Sequence, residues 1–272
     1  KSTYDKLDIL FIGNSYVYSG IQPSLIETIG INSYNLGIAT AGVEFYELVI
    51  NDYLNNINYY PKTIFILVSP NTFSTRSDNF ISYPIHRYLE SPLSNLELII
   101  KYQYFNQFFS FYRKSLKKGL YNISGLFKNN SDQNRIIDDT NRGFISSDIS
   151  VTEEIINRDK DKYKPLINDR FDFKKISRLE KIVESLRLKD VEVVFFELPT
   201  YKLKNYFNDQ YLSDYETILK ELSIENQLVR LDETLFRSNQ FRNIDHLNSL
   251  GANLATEKLV EFLIENKLSY YE

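Results

Sequence analysis

A three-layer α/β/α domain on a parallel sheet is the fold class this sequence predicts, from three observations. Short, nearly unbroken apolar runs recur along the chain and stop at Gly, Pro or Ser, as strands buried on both faces do. Stretches with helical apolar spacing lie between them. The 272 residues are 43% hydrophobic and 25% charged, which suits one α/β domain with a sizeable core and one insertion.

The elements follow in order. Asp8 to Ile12 (DILFI) is a buried strand that ends at Gly13, where the chain is expected to turn sharply. Pro23 suits the first turn of a helix carrying Leu25, Ile26 and Ile29. Tyr34 to Leu36 is a weaker strand ending at Gly37, and Phe45 to Leu54 has helical spacing. Thr63 to Val68 (TIFILV) is the third strand, closed by Ser69 and Pro70. Strand, helix, strand, helix, strand implies right-handed crossovers and parallel pairing.

From Thr72 to Asp172 the pattern changes. Leu96 to Leu120 is helix-like and crowded with aromatics, and Lys128 to Lys162 is polar, with room for one short helix. The expectation is a single domain over residues 1–272 with a mainly helical, aromatic-rich insertion or lid at about 74–172. Its aromatics form a lid, an acyl groove, a surface for a membrane partner, or plain core, and core is the default. The alternation then resumes. Ile176 to Leu186 is a helix face, Val191 to Leu198 (VEVVFFEL) a strand ending at Pro199, and Leu212 to Leu222 a helix. Leu228 to Leu231 is a short strand, and Gly251 to Asn266 closes the chain as an amphipathic helix.

Bulk properties exclude several functions. The net charge of −4 leaves no basic footprint for nucleic acid. With no cysteine there are no disulfides, thiolate metal sites or cysteine nucleophiles. Two histidines without cysteine predict no zinc site, and no cofactor is expected. His86, between Ile85 and Arg87, reads as structural, and Lys114, Lys117 and Lys118 as a solvated face. No apolar run reaches the ~20 residues that cross a bilayer. A first residue of Lys and the absence of Met predict that a signal peptide or membrane anchor has been removed, hence an extracytoplasmic location.

In open parallel sheets ligands bind beyond the carboxyl ends of the strands, so the residues that follow each strand carry the chemistry. After the first strand comes Ser15, after the second Gly37 and Gly42, and after the third Asn71; Asp245-His246 precedes the last helix. These are the parts of an acyl-transfer site. A serine hydroxyl needs an imidazole to take its proton, which makes Ser15 the candidate nucleophile and His246 its base. The tetrahedral intermediate needs fixed donors, expected from the Ser15 and Gly42 N–H groups and the Asn71 amide. A carboxylate holds the imidazole in the useful tautomer, and Asp245 is the nearest. Each residue alone has a plainer reading: Ser15 as turn or cap, Asn71 as turn, Asp245 or Asn248 as N-cap, and Glu197 as a solvated edge carboxylate.

The string from Phe11 to Tyr16 (FIGNSY) resembles the first block of the SGNH (GDSL-like) hydrolases. Asn35 to Gly42 (NLGIATAG), Val68 to Asn71 (VSPN) and Asp245 to Gly251 (DHLNSLG) resemble their later blocks. The resemblance covers roughly Asp8 to Thr72 and Val191 to Leu268, not the insertion. It implies a flavodoxin-like sheet of the SGNH hydrolase type and a serine esterase or O-acyltransferase. The last two blocks are closest to cell-envelope members, such as the D-alanylation accessory protein and the alginate O-acetyltransferase-like group. Those imply acylated envelope or extracellular polysaccharide, or another small acyl ester, as substrate, and a membrane acyltransferase as a possible partner. A lipid or thioester hydrolase and a catalytically silent SGNH-fold assembly protein are the alternatives. Two departures stand out. The class places its acid three residues before the histidine, which here is Asn243, so either Asp245 or Asn243 orients the ring. The loose second block leaves Gly37 or the Thr40 N–H as alternatives to Gly42.

Overall fold

Five of the apolar runs form strands: β1 (Ile9–Gly13), β2 (Ser33–Gly37), β3 (Thr63–Leu67), β4 (Glu192–Glu197) and β5 (Gln227–Arg230). They make one all-parallel sheet in the order β2-β1-β3-β4-β5. This is a doubly wound order, and its switch point lies between β1 and β3. The computed structural model describes residues 6–39, 41–55, 59–75 and 142–266. Thr40, His86, the Leu96–Leu120 segment and its three lysines lie outside them.

Side chains alternate across the pleat and feed two cores. Leu10, Ile12, Ile64, Ile66, Val193 and Phe195 face α3 (Val43–Asn55), α5 (Phe173–Arg187) and part of α6 (Asp209–Glu225). Ile9, Phe11, Phe65, Leu67, Val194 and Phe196 face α1 (Ser15–Gly20), α2 (Pro23–Ile26) and α7 (Ser249–Glu265). Helices on both faces complete the three layers. In the second core, Phe11, Phe65 and Phe196 pack with ring centroids 5.0–6.0 Å apart.

Helix starts follow local chemistry. Asn14, Thr152, Asp172, Asn208 and Asn248 each accept a backbone N–H of the first turn as N-caps, to α1, α4 (Glu153–Tyr163), α5, α6 and α7. Helix α1 was not expected from periodicity. Gly13 proves to be the last residue of β1, with no left-handed backbone. What glycine supplies there is room: a Cβ would overlap Val17 of α1 and Leu67 of β3.

Ser74 and Phe171 form an antiparallel bridge. Within the expected insertion, residues 142–172 are pinned to the rest of the fold. Asn35 N–H donates to Arg142 O, Ile145 N–H to Tyr18 O, and Val151 N–H to Phe241 O, at 2.7–3.0 Å. Glu197 is also not a solvated edge residue. It is buried, with Arg230 at 2.7 Å and Lys204 at 3.2 Å. Among the described residues no helix is long and apolar enough to cross a membrane.

Candidate active site

Ser15 is the first residue of α1, directly beyond β1. The helix start is fixed by Asn14, whose Oδ1 accepts Tyr16 N–H at 2.9 Å. Asn35 of β2 holds the other end, donating from Nδ2 to Val17 O and Ile21 O at 2.7 and 2.8 Å. As a first-turn residue, Ser15 does not need its N–H for the helix ladder, which leaves that group available to an anion.

His246 reaches the same point from the other end of the sequence. Its loop is tied down by Arg242 N–H to His246 O at 3.0 Å, Asn248 N–H to Gln240 O at 3.0 Å, and a bridge between Phe241 and Leu247. The Asn243 side chain closes the turn, because its Oδ1 accepts His246 N–H at 2.9 Å. The same oxygen lies 3.1 Å from Nδ1 of the ring. An amide oxygen can only accept, so Nδ1 carries a proton, and in the neutral ring Nε2 then presents a lone pair. That lone pair faces the Ser15 hydroxyl at 2.7 Å, across 231 residues of sequence.

Asp245 also sits at Nδ1. Its Oδ1 is 2.5 Å from the ring nitrogen but is not aligned as a hydrogen bond, so the carboxylate acts on the Nδ1–H through its negative charge. The two candidate orienters therefore share one nitrogen: Asn243 takes the directional bond and Asp245 supplies the negative charge. Burial would raise the Asp245 carboxyl. His246, then Lys162 3.8 Å from Oδ2, and the Tyr163 hydroxyl outweigh burial and hold it well below the usual carboxylate range. Burial, and next the Asp245 charge, keep Tyr163 protonated.

Asn71 sits in a 3₁₀ turn (Pro70–Phe73) just past β3. Ser69 and Thr72 cap that turn reciprocally, and Tyr211 donates its hydroxyl proton to Pro70 O at 2.6 Å. Asn71 Nδ2 donates to the Tyr16 hydroxyl at 2.5 Å, and the Tyr16 ring meets His246 edge to face at 5.3 Å. Gly42 is buried directly before α3, its carbonyl accepting from Phe45 and Tyr46. Gly37 is not available as an alternative donor. Its N–H is taken by Asn35 Oδ1 at 3.0 Å, and a Cβ there would strike Tyr18 N and Asn14 O. Asn248 has the plain role: it caps α7 and donates to Asn239 O at 2.7 Å.

Tyr16, Lys162 and Tyr163 were not anticipated. Tyr16 follows the nucleophile in the motif and was open to inspection, whereas nothing local marks Lys162 and Tyr163 as neighbours of Asp245. Among the described residues, no three His, Asp or Glu are grouped as metal ligands.

No protein-family model matches the chain, and no curated protein matches it. Among solved structures it is similar to a G-D-S-L family lipolytic protein, so described, from Desulfitobacterium hafniense, at 10% identity and a TM-score of 0.46, over 93% of this chain and 97% of that one. A GDSL-like lipase from Bacteroides thetaiotaomicron is similar at 11% identity and a TM-score of 0.43, over 96% and 88%. An acetyl xylan esterase from Butyrivibrio proteoclasticus is similar at 11% and 0.39, over 98% and 65%. Likeness this distant says nothing of chemistry, which has to be read from the chain's own geometry.

Proposed function

We propose that this chain is a serine-dependent O-acyl esterase or O-acyltransferase of the SGNH type, acting on acylated envelope or extracellular glycans outside the cytoplasm. One observation carries the reading: the Ser15 hydroxyl lies 2.7 Å from His246 Nε2, and the opposite ring nitrogen is held by Asn243 and Asp245.

In this scheme Ser15 Oγ attacks the acyl carbonyl carbon while His246 Nε2 takes the hydroxyl proton. The Ser15 and Gly42 N–H groups and the Asn71 amide receive the oxyanion. Collapse breaks the ester C–O bond, and His246 returns the proton to the departing alcohol. Water or a sugar hydroxyl then attacks the acyl-serine with His246 again as base, giving a free acid or a new ester. Asp245 stays ionised and stabilises the imidazolium. The glycan substrate, the extracytoplasmic site and a membrane acyltransferase partner rest on the likeness of the motif blocks at Val68–Asn71 and Asp245–Gly251 to envelope members of the class.

A fluorophosphonate probe and p-nitrophenyl acetate test the chemistry. Labelling and turnover that both vanish in Ser15→Ala support it; no labelling of the native chain leaves a silent binding protein. Rates that climb from acetate to octanoate esters would move the substrate from sugar acetates to lipids.

A further inference from the structure

Resting on the esterase reading, we propose that Tyr16 is a positioning residue that locks the Asn71 amide in place beside the nucleophile. Three contacts meet on it. Its backbone N–H is fixed by Asn14, its ring packs edge to face on His246, and its hydroxyl accepts the Asn71 amide at 2.5 Å. One side chain thus touches both the oxyanion donor and the base, while its sequence neighbour is the nucleophile.

The reason is torsional. An asparagine amide turns about a terminal bond whose energy profile is broad and nearly two-fold, so it does not orient itself. The backbone of Asn71 is rigidly held by the Ser69–Thr72 cap and by Tyr211, but neither contact restrains the amide. The Tyr16 hydroxyl does. By taking one of the two Nδ2 protons it fixes the amide plane and the direction of the second. Burial, then the Asp245 charge, push the phenol well above its ordinary range, so it remains a neutral acceptor at every working pH. Tyr16 is itself buried, and no reacting atom needs to touch it.

The test is a double-mutant cycle on p-nitrophenyl acetate turnover with native protein, Tyr16→Phe, Asn71→Ala and the double variant. Tyr16→Phe keeps the packed ring and removes only the hydroxyl. It is expected to lower kcat about tenfold with KM changed less than twofold, because an ill-aimed oxyanion donor loses part of the roughly 10²–10³-fold that such a donor supplies. In the Asn71→Ala background the same change should cost less than twofold. Equal cost in both backgrounds overturns the proposal and leaves the esterase reading intact, since turnover still depends on Ser15. Absence of Ser15-dependent turnover in the native protein overturns both. If Tyr16→Phe does not fold, Tyr16→Leu, which also removes the acceptor, enters the same cycle with the same criterion.

Discussion

At His246, two oxygens compete for one ring nitrogen, and their chemistry assigns them different work. Asn243 is placed by its bond to the His246 backbone N–H and so gives direction. Asp245 lies closer but off line, and gives charge. Asp245→Asn keeps the shape and removes the charge, so kcat should fall about 10²-fold or more. Asn243→Ala should cost about tenfold, measured in the same ester assay. The Asp245 carboxyl is depressed in the fold, so between its unfolded value of about 3.9 and its lower folded value the unfolded chain binds more protons. Its stabilisation is therefore complete above about pH 4 and is lost as pH falls toward the folded value. Urea midpoints taken from pH 5 down to pH 2 should drop less steeply for Asp245→Asn than for the native protein. At pH 7 that variant should be weaker by about 1–3 kcal/mol, because His246 and the Tyr163 hydroxyl lose a charged partner. Sequence could bring both residues to the ring but could not choose between them. The choice is made by the four-residue turn Asn243–His246, whose closing bond has no sequence signature of its own.

The elements that aim these side chains are short and held from outside. Helix α1 has six residues, too few for a 3.6-residue period to show, and so it escaped sequence reading. It is kept in place by Asn14, by the Asn35 side chain and by the missing side chain of Gly37. Gly37→Ala would drive a methyl into the α1 backbone at Tyr18, displacing the helix that carries Ser15. The expected result is a loss of at least about 1–3 kcal/mol in denaturant titration, with activity falling further than stability. At the other end, Asn248 caps α7 and also fastens the 239–248 loop. Asn248→Ala should cost about 1–2 kcal/mol and lower kcat as well, because His246 is two residues away on that loop. Helix α4 shows the limit of legibility. Its polar composition suggested a surface excursion, yet its last two residues reach Asp245. A contact across the chain leaves no trace in the periodicity of either partner.

For the molecule as a whole, strand burial and strand order decide how much of the fold and site is legible in the sequence. The central strands β1, β3 and β4 are buried and read as near-continuous apolar runs, while the edge strands β2 and β5 are only partly buried and mixed in sequence; all five lie within a residue of the ends the sequence predicts. With the strands known, the order β2-β1-β3-β4-β5 puts the residues after β1 and β3 on either side of the switch point, and Ser15 and Asn71 are those residues. Several aromatic rings of the described residues also find a place here. Phe11, Phe65 and Phe196 fill one face of the sheet, and Phe73, Phe171, Phe207 and Tyr211 stack beside it.

The most direct measurement is the mass of the protein quenched in acid shortly after mixing with p-nitrophenyl acetate, followed by peptide mapping. One acetyl group on the peptide that holds Ser15, missing from Ser15→Ala, is the predicted result. Ester turnover with no acetyl on that peptide, or an acetyl fixed on another residue, would contradict the account.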